Sequence, residues 1–133
     1  MTNHTMTKLY SLLVLITPLF IAGCDGGEKV QHKVSYSQDI APILQRHCLE
    51  CHVPNAPGHL ASGLDMSTHQ SLMRGTKFGA IIKAGDSLSS TLIILVEGRA
   101  DPSINMPHGD RTALSEADLK TLRQWIDQGA ANN

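Results

Sequence analysis

The sequence predicts a small all-α domain, and three observations carry that prediction. The stretch from Ser115 to Gly129 has an N-terminal cap, an apolar stripe and a closing glycine. Ile40, Ile43, Leu44 and His47 recur at the spacing of one helical face. Finally, 133 residues hold only 4% aromatic side chains. A domain with so few large rings has to fill its interior some other way.

The first segment is an address rather than part of the fold. After Lys8 comes an apolar run, Leu9 to Ala22, interrupted by Tyr10, Ser11, Thr17 and Pro18. A membrane span wants roughly 20 apolar residues, and this run is shorter and broken. A basic start, a short apolar run and small residues make a secretory signal. The end of the run reads Ile21-Ala22-Gly23-Cys24. It resembles the lipobox of bacterial lipoproteins, which implies an acylated Cys24 as the mature N-terminus. The alternative is an ordinary cleaved signal with a chance cysteine. Two or more acyl chains make a stable anchor where one is marginal. Asp25 after the cysteine weighs towards the inner membrane. The expected divisions are residues 1–23 as signal, 24–34 as acylated cysteine and polar tether, and 35–133 as the domain.

Within the domain, a first helix is expected from about Asp39 to Cys48, with Pro42 in its first turn, where a missing N–H costs little. Val53 to Gly63 reads as a loop by its Pro and Gly content. A short helix is expected near Ser67 to Met73, stopped by Gly75. Gly85 to Gly98 contains Leu-Ile-Ile-Leu-Val, which has strand propensity. However, Leu88, Thr91, Leu92, Leu95 and Val96 share a helical face, with Asp86 or Ser87 to cap it, and helix is preferred. Ser115-Glu-Ala-Asp118 is a capping box, flanked by Leu114 and Leu119 at the staple positions. Leu119, Leu122, Trp125 and Ile126 form the buried stripe of this last helix.

The chemistry lies in Cys48-Leu49-Glu50-Cys51-His52. This is the C-x-x-C-H pattern of covalent haem attachment. Two thiols a turn apart add across the two vinyl groups of one haem, and His52 then lies beneath the iron as its proximal ligand. With Cys24 taken by lipid, none of the three cysteines is left over. Zinc held by Cys48, Cys51, His52 and His59 is a rival, but no second Cys or His pair stands at structural-site spacing. A disulfide in an exported chain is a further rival. For the other side of the iron, Met106 in the loop Ile104-Asn-Met-Pro-His-Gly-Asp110 is the first candidate. A thioether is a soft, neutral ligand, and a following Pro favours extended backbone at Met106. His108 is the rival distal ligand. Met66 and Met73 read as core, His47 as a plain helix residue, and His59 and His69 as solvated or lightly packed.

From Tyr36 to Ala130 the chain resembles the planctomycete-type cytochrome c domain, a branch of the class I cytochrome c fold. The matching pieces are Asp39-Ile-Ala-Pro-Ile-Leu, the Cys48-to-His52 motif, Gly63-Leu-Asp, Gly85-Asp with Ser90-Thr-Leu, Met106-Pro, Leu114-Ser and Trp125-Ile-Asp-Gln-Gly-Ala130. The resemblance implies an all-α domain wrapped around one covalent haem c, with Met106 as distal ligand. The family commonly has a second Pro after Met-Pro, where this chain has His108.

These readings predict a monohaem carrier of single electrons, held by a lipid anchor on the periplasmic side of a bacterial membrane and served by separate redox proteins. The chain shows no second set of catalytic residues, so an enzyme is not expected. A haem sensor or gas-binding module with a displaceable distal ligand is the alternative. A dihaem peroxidase would need a second haem motif. A formal charge of -1 gives no basic field, so nucleic acid is not an expected partner.

Overall fold

The computed structural model describes residues 32–133. The signal, Cys24 and all but the last residues of the expected tether lie outside the described residues. Val34, placed at the end of that tether, is buried, and its N–H donates to Gln128 Oε1 at 2.8 Å.

The first helix starts on a side-chain lock. Ser35 Oγ accepts the Gln38 N–H, while Asp39 Oδ2 accepts the Ser35 N–H. One wide turn, the π-helical segment Tyr36–Ile40, runs directly into α1, Ala41–His47, with Pro42 at its start. The start therefore lies a few residues before Asp39, because Ser35 supplies the cap. Ile40, Ile43 and Leu44 face the core as their spacing predicts.

The stretch expected as a loop holds a helix, α2, Pro57–Ser62. Its Pro and Gly content misled, because both residue types sit at helix ends. Pro57 occupies the first turn, where no N–H is needed, and Gly63 closes the helix in the left-handed region at φ 75°. Helix α3, His69–Arg74, carries a reciprocal cap between Thr68 and Ser71. It begins two residues later than expected because Thr68 is the cap.

Helix α4, Thr91–Val96, is shorter than its periodicity suggested. The polar residues before it close a turn instead. Asp86 accepts from Ser89 and Lys83, Ser87 donates to Asp127, and Ser90 Oγ bridges Asp86 and Lys83. Leu88 consequently lies outside the helix and is 74% exposed. Helix α5, Glu116–Asp127, has Ser115 accepting the Asp118 N–H. The return half of the expected box is absent, since Asp118 Oδ2 takes the Ser115 hydroxyl rather than its backbone N–H. The apolar stripe Leu119, Leu122, Trp125 and Ile126 is buried as predicted.

Helix α5 packs on both α4 and the π-helical segment. Trp125 stacks beside Tyr36 and His69, with ring centroids 5.7 and 5.9 Å away, and donates to the Ala131 carbonyl at 2.9 Å. His69 is thus packed rather than solvated, its Nε2 2.8 Å from the Ala130 carbonyl oxygen. No strand occurs among the described residues; a lone bridge pairs Thr76 with Gly79. The fold is all-α, as expected. No helix among the described residues is long and apolar enough to cross a membrane.

Candidate functional site

The Cys-x-x-Cys-His run is wound as the continuation of α1. The Cys48 N–H donates to the Leu44 carbonyl, and the Cys51 and His52 N–H groups both donate to the Cys48 carbonyl. This winding brings Cys48 and Cys51 to one edge and drops His52 inward. His52 is 7% exposed, and its carbonyl accepts from Met66 N–H at 2.8 Å.

All three residues open on one cavity of about 430 Å³. Its floor and sides are Pro57, Gly58 and Ala61 of α2, Leu64 and Met66, Ile81, and the Leu92, Leu95 and Val96 face of α4. The loop after α4 closes it with Met106, Pro107 and His108, and Leu114 completes the wall. Met66 is buried in the core as its sequence reading has it, and together with Leu92 and Val96 of α4 it also lines this cavity. His47 also lines it, with Nε2 3.5 Å from Asp118 Oδ2.

Three features of the cavity fit a covalent haem. First, Cys48 and Cys51 carry free thiols at its edge. Burial, and next the neighbouring Cys51, push the Cys48 thiol up to about 11, so it is a neutral thiol at physiological pH. Second, His52 Nδ1 is buried without a hydrogen-bond partner, a costly arrangement unless the ring serves another purpose. Burial is also the main cause holding the His52 pKa below its usual value, with lesser contributions from His108 and His59 against an opposing one from the Leu64 carbonyl. The imidazole is therefore neutral, the form that binds iron. Third, Gly58 is required where α2 crosses the motif. A Cβ there would stand 2.7 Å from the Cys51 carbonyl oxygen and 2.8 Å from His52 Cε1.

The rival readings find less support. Among the described residues no three His, Cys, Asp or Glu side chains converge as a metal-binding group. His59 instead accepts the Asn55 N–H through Nδ1. Cys48 and Cys51 are not joined to each other.

Met106 lines the same cavity; it is half-buried against the core, and its N–H donates to the Leu95 carbonyl of α4 at 3.1 Å. His108 lies two residues on at the cavity rim and is exposed. Both also line a second groove that adjoins the first and is edged by Phe78 and Ile104. Gly58 and Arg111 were not singled out for the site from sequence. Nothing in the chain marks Gly58 as other than a loop glycine, and Arg111 meets Glu50 across 61 positions.

Residues 48–107 match the family model described as Planctomycete cytochrome C. No curated protein and no solved structure matches the chain. The matched segment begins at the first thiol and ends just past Met106, so it includes Cys48, Cys51, His52 and Met106, which all line the cavity.

Proposed function

The chain carries a planctomycete-type cytochrome c domain, and from that premise we propose that it is a monohaem carrier of single electrons, lipid-anchored on the periplasmic side of a bacterial membrane. Domains of this kind carry haem c and transfer electrons. The observation that carries the finer reading is the sharing of one apolar cavity by Cys48, Cys51, His52 and Met106.

In this reading Cys48 and Cys51 hold the haem through thioether bonds, and the neutral His52 imidazole is the proximal ligand. When bound, the iron supplies a one-electron couple. Met106 is the distal ligand in preference to His108, because it is packed on the core and tied to α4 while His108 stands at the rim. The apolar wall would keep water from the iron's ligands and so favour the less charged reduced state. Were His52 and Met106 both to hold the iron, the chain would leave no position on it for a substrate, which favours transfer over catalysis. Cys24 as an acylated residue would confine the domain near membrane redox proteins and raise their effective concentration. Palmitate labelling of the parent chain that disappears in Cys24→Ser tests the anchor.

Spectroelectrochemical titration of the chain, exported from a host with haem-attachment machinery, tests the carrier. One reversible one-electron wave is expected, lost in His52→Ala. A chain without such a wave is not this carrier. A second reading, a haem-based gas sensor, draws on the adjoining groove lined by Met106 and His108, which gives a small ligand a route to the distal side. Carbon monoxide binding separates the two.

A further inference from the structure

The loop that carries Met106 reaches α5 with almost no hydrogen-bonded support of its own. Among the described residues, no backbone-to-backbone hydrogen bond involves residues 107–113. The hydrogen bonds that tie this segment to another part of the fold run through one side chain, Arg111. Its Nη2 donates to Glu50 Oε1 at 2.8 Å and its Nε to Glu50 Oε2 at 3.4 Å. Its Nη1 donates to the His108 carbonyl at 3.3 Å. Glu50 sits between the two thiols, and His108 is two residues past Met106. One guanidinium therefore joins the segment that carries the two thiols to the segment that carries Met106.

We propose that the Glu50–Arg111 pair is a strap that holds the Met106 loop against the Cys-x-x-Cys turn, making both residues positioning residues for the distal ligand. The inference rests on the reading of Met106 as that ligand. The fork geometry suits the role, since a planar guanidinium can bind both carboxylate oxygens and still reach a carbonyl. The pair is exposed, with Arg111 and Glu50 side chains at 43% and 76% of full accessibility. It is consequently screened by salt, so the grip on the loop loosens as ionic strength rises. Arg111 is also the one Arg or Lys among the described residues that line the cavity, where no carboxylate stands. A direct contact from Arg111 to the carboxylates of the haem is the competing role, and Glu50 distinguishes the two.

The test uses the haem-loaded full chain. At saturating carbon monoxide, the rate of binding to the ferrous form reports how often the Met106 sulfur leaves the iron. The strap predicts that Arg111→Gln and Glu50→Gln each raise this rate about two- to fivefold. It predicts that salt raises the parent rate by a similar factor and leaves both variants unmoved. The exchanged pair, Glu50→Arg with Arg111→Glu, should return the rate towards the parent value, which a general loss of stability would not. Parent-like rates in both single variants would overturn the proposal. So would an effect in Arg111→Gln alone, which would assign Arg111 to the haem carboxylates. Failure of the underlying ligand reading shows separately, as a sulfur-to-iron absorption band that is missing in the parent or survives Met106→Ala.

Discussion

Replacing Gly58 by Ala isolates the steric demand of the haem site from helix energetics. Gly58 lies in the first turn of α2, where its φ is an ordinary one that alanine adopts freely. On propensity alone the change would stabilise the helix by up to about 1 kcal/mol. The added Cβ, however, would meet the Cys51 carbonyl oxygen at 2.7 Å, His52 Cε1 at 2.8 Å and His52 Nδ1 at 3.0 Å. The first of these is backbone and the ring is buried, so neither yields cheaply. Overpacking of this kind costs about 1–3 kcal/mol; the rigid neighbours put this site in the upper part of that range, so a net loss of about 1–2 kcal/mol remains after the propensity gain. For a domain near 100 residues that lowers Tm by roughly 5–10 °C. Thermal unfolding of the haem-loaded parent and variant, followed by circular dichroism, measures it. A shifted Soret band should accompany the loss, because the His52 ring is the atom group displaced. A variant as stable as the parent or more so, with an unchanged spectrum, would refute the close approach of α2 to the motif.

Three further outcomes follow from residues away from the motif. Ser90 is 1% exposed, accepts the Lys83 N–H at 2.9 Å and donates to the Asp86 carbonyl at 2.8 Å; Ser90→Ala strands both groups and should cost about 1–3 kcal/mol in urea unfolding. Trp125 fills the centre of the core at 1% exposure, so Trp125→Ala should lose about 3–5 kcal/mol in the same assay. Burial pushes the Glu97 carboxyl up, but hydrogen bonds from Arg99 and Arg123 outweigh it and hold the group below the usual glutamate range. Its folded pKa is thus depressed, so its contribution is present above about pH 4.3 and is lost as pH falls through the lower folded value. Parent and Glu97→Gln stabilities should accordingly converge on acidification below that range and diverge above it.

Much of the fold could be read from local pattern, because helix ends are marked by residue types with fixed physical roles. Ser115 as a cap and the stripe to Ile126 predicted α5 nearly to its ends, and Ile40, Ile43 and Leu44 predicted the buried face of α1. Pattern failed where one residue type has two uses. Pro57 and Gly63 signal a loop in composition but begin and end α2 in space. Asp86, Ser87 and Ser90 are good caps, yet they spend their hydrogen bonds on Lys83, Asp127 and one another, so α4 starts late. The Cys48, Cys51 and His52 cluster was legible because it is local in sequence, and the structure sets all three on one cavity. Its walls were not. Met66, Leu92, Leu95 and Val96 look like core in sequence, because a cofactor cavity and a core select the same side chains. The Glu50–Arg111 contact has no local signal at all, as it forms between segments that only the fold brings together.

In the proposed carrier, Cys48, Cys51 and His52 hold one haem whose distal ligand is the Met106 sulfur. The most direct measurement is the absorption spectrum of the Cys24→Ser chain, exported from a haem-attaching host, oxidised and reduced, with carbon monoxide added to the reduced sample. The account predicts a low-spin c-type spectrum with a weak red sulfur-to-iron band. Met106→Ala should abolish that band, and carbon monoxide should bind the parent only slowly. A high-spin spectrum, or rapid carbon monoxide binding by the parent, would contradict the distal assignment and favour the sensor reading. A chain that emerges from that host without haem would contradict the claim itself.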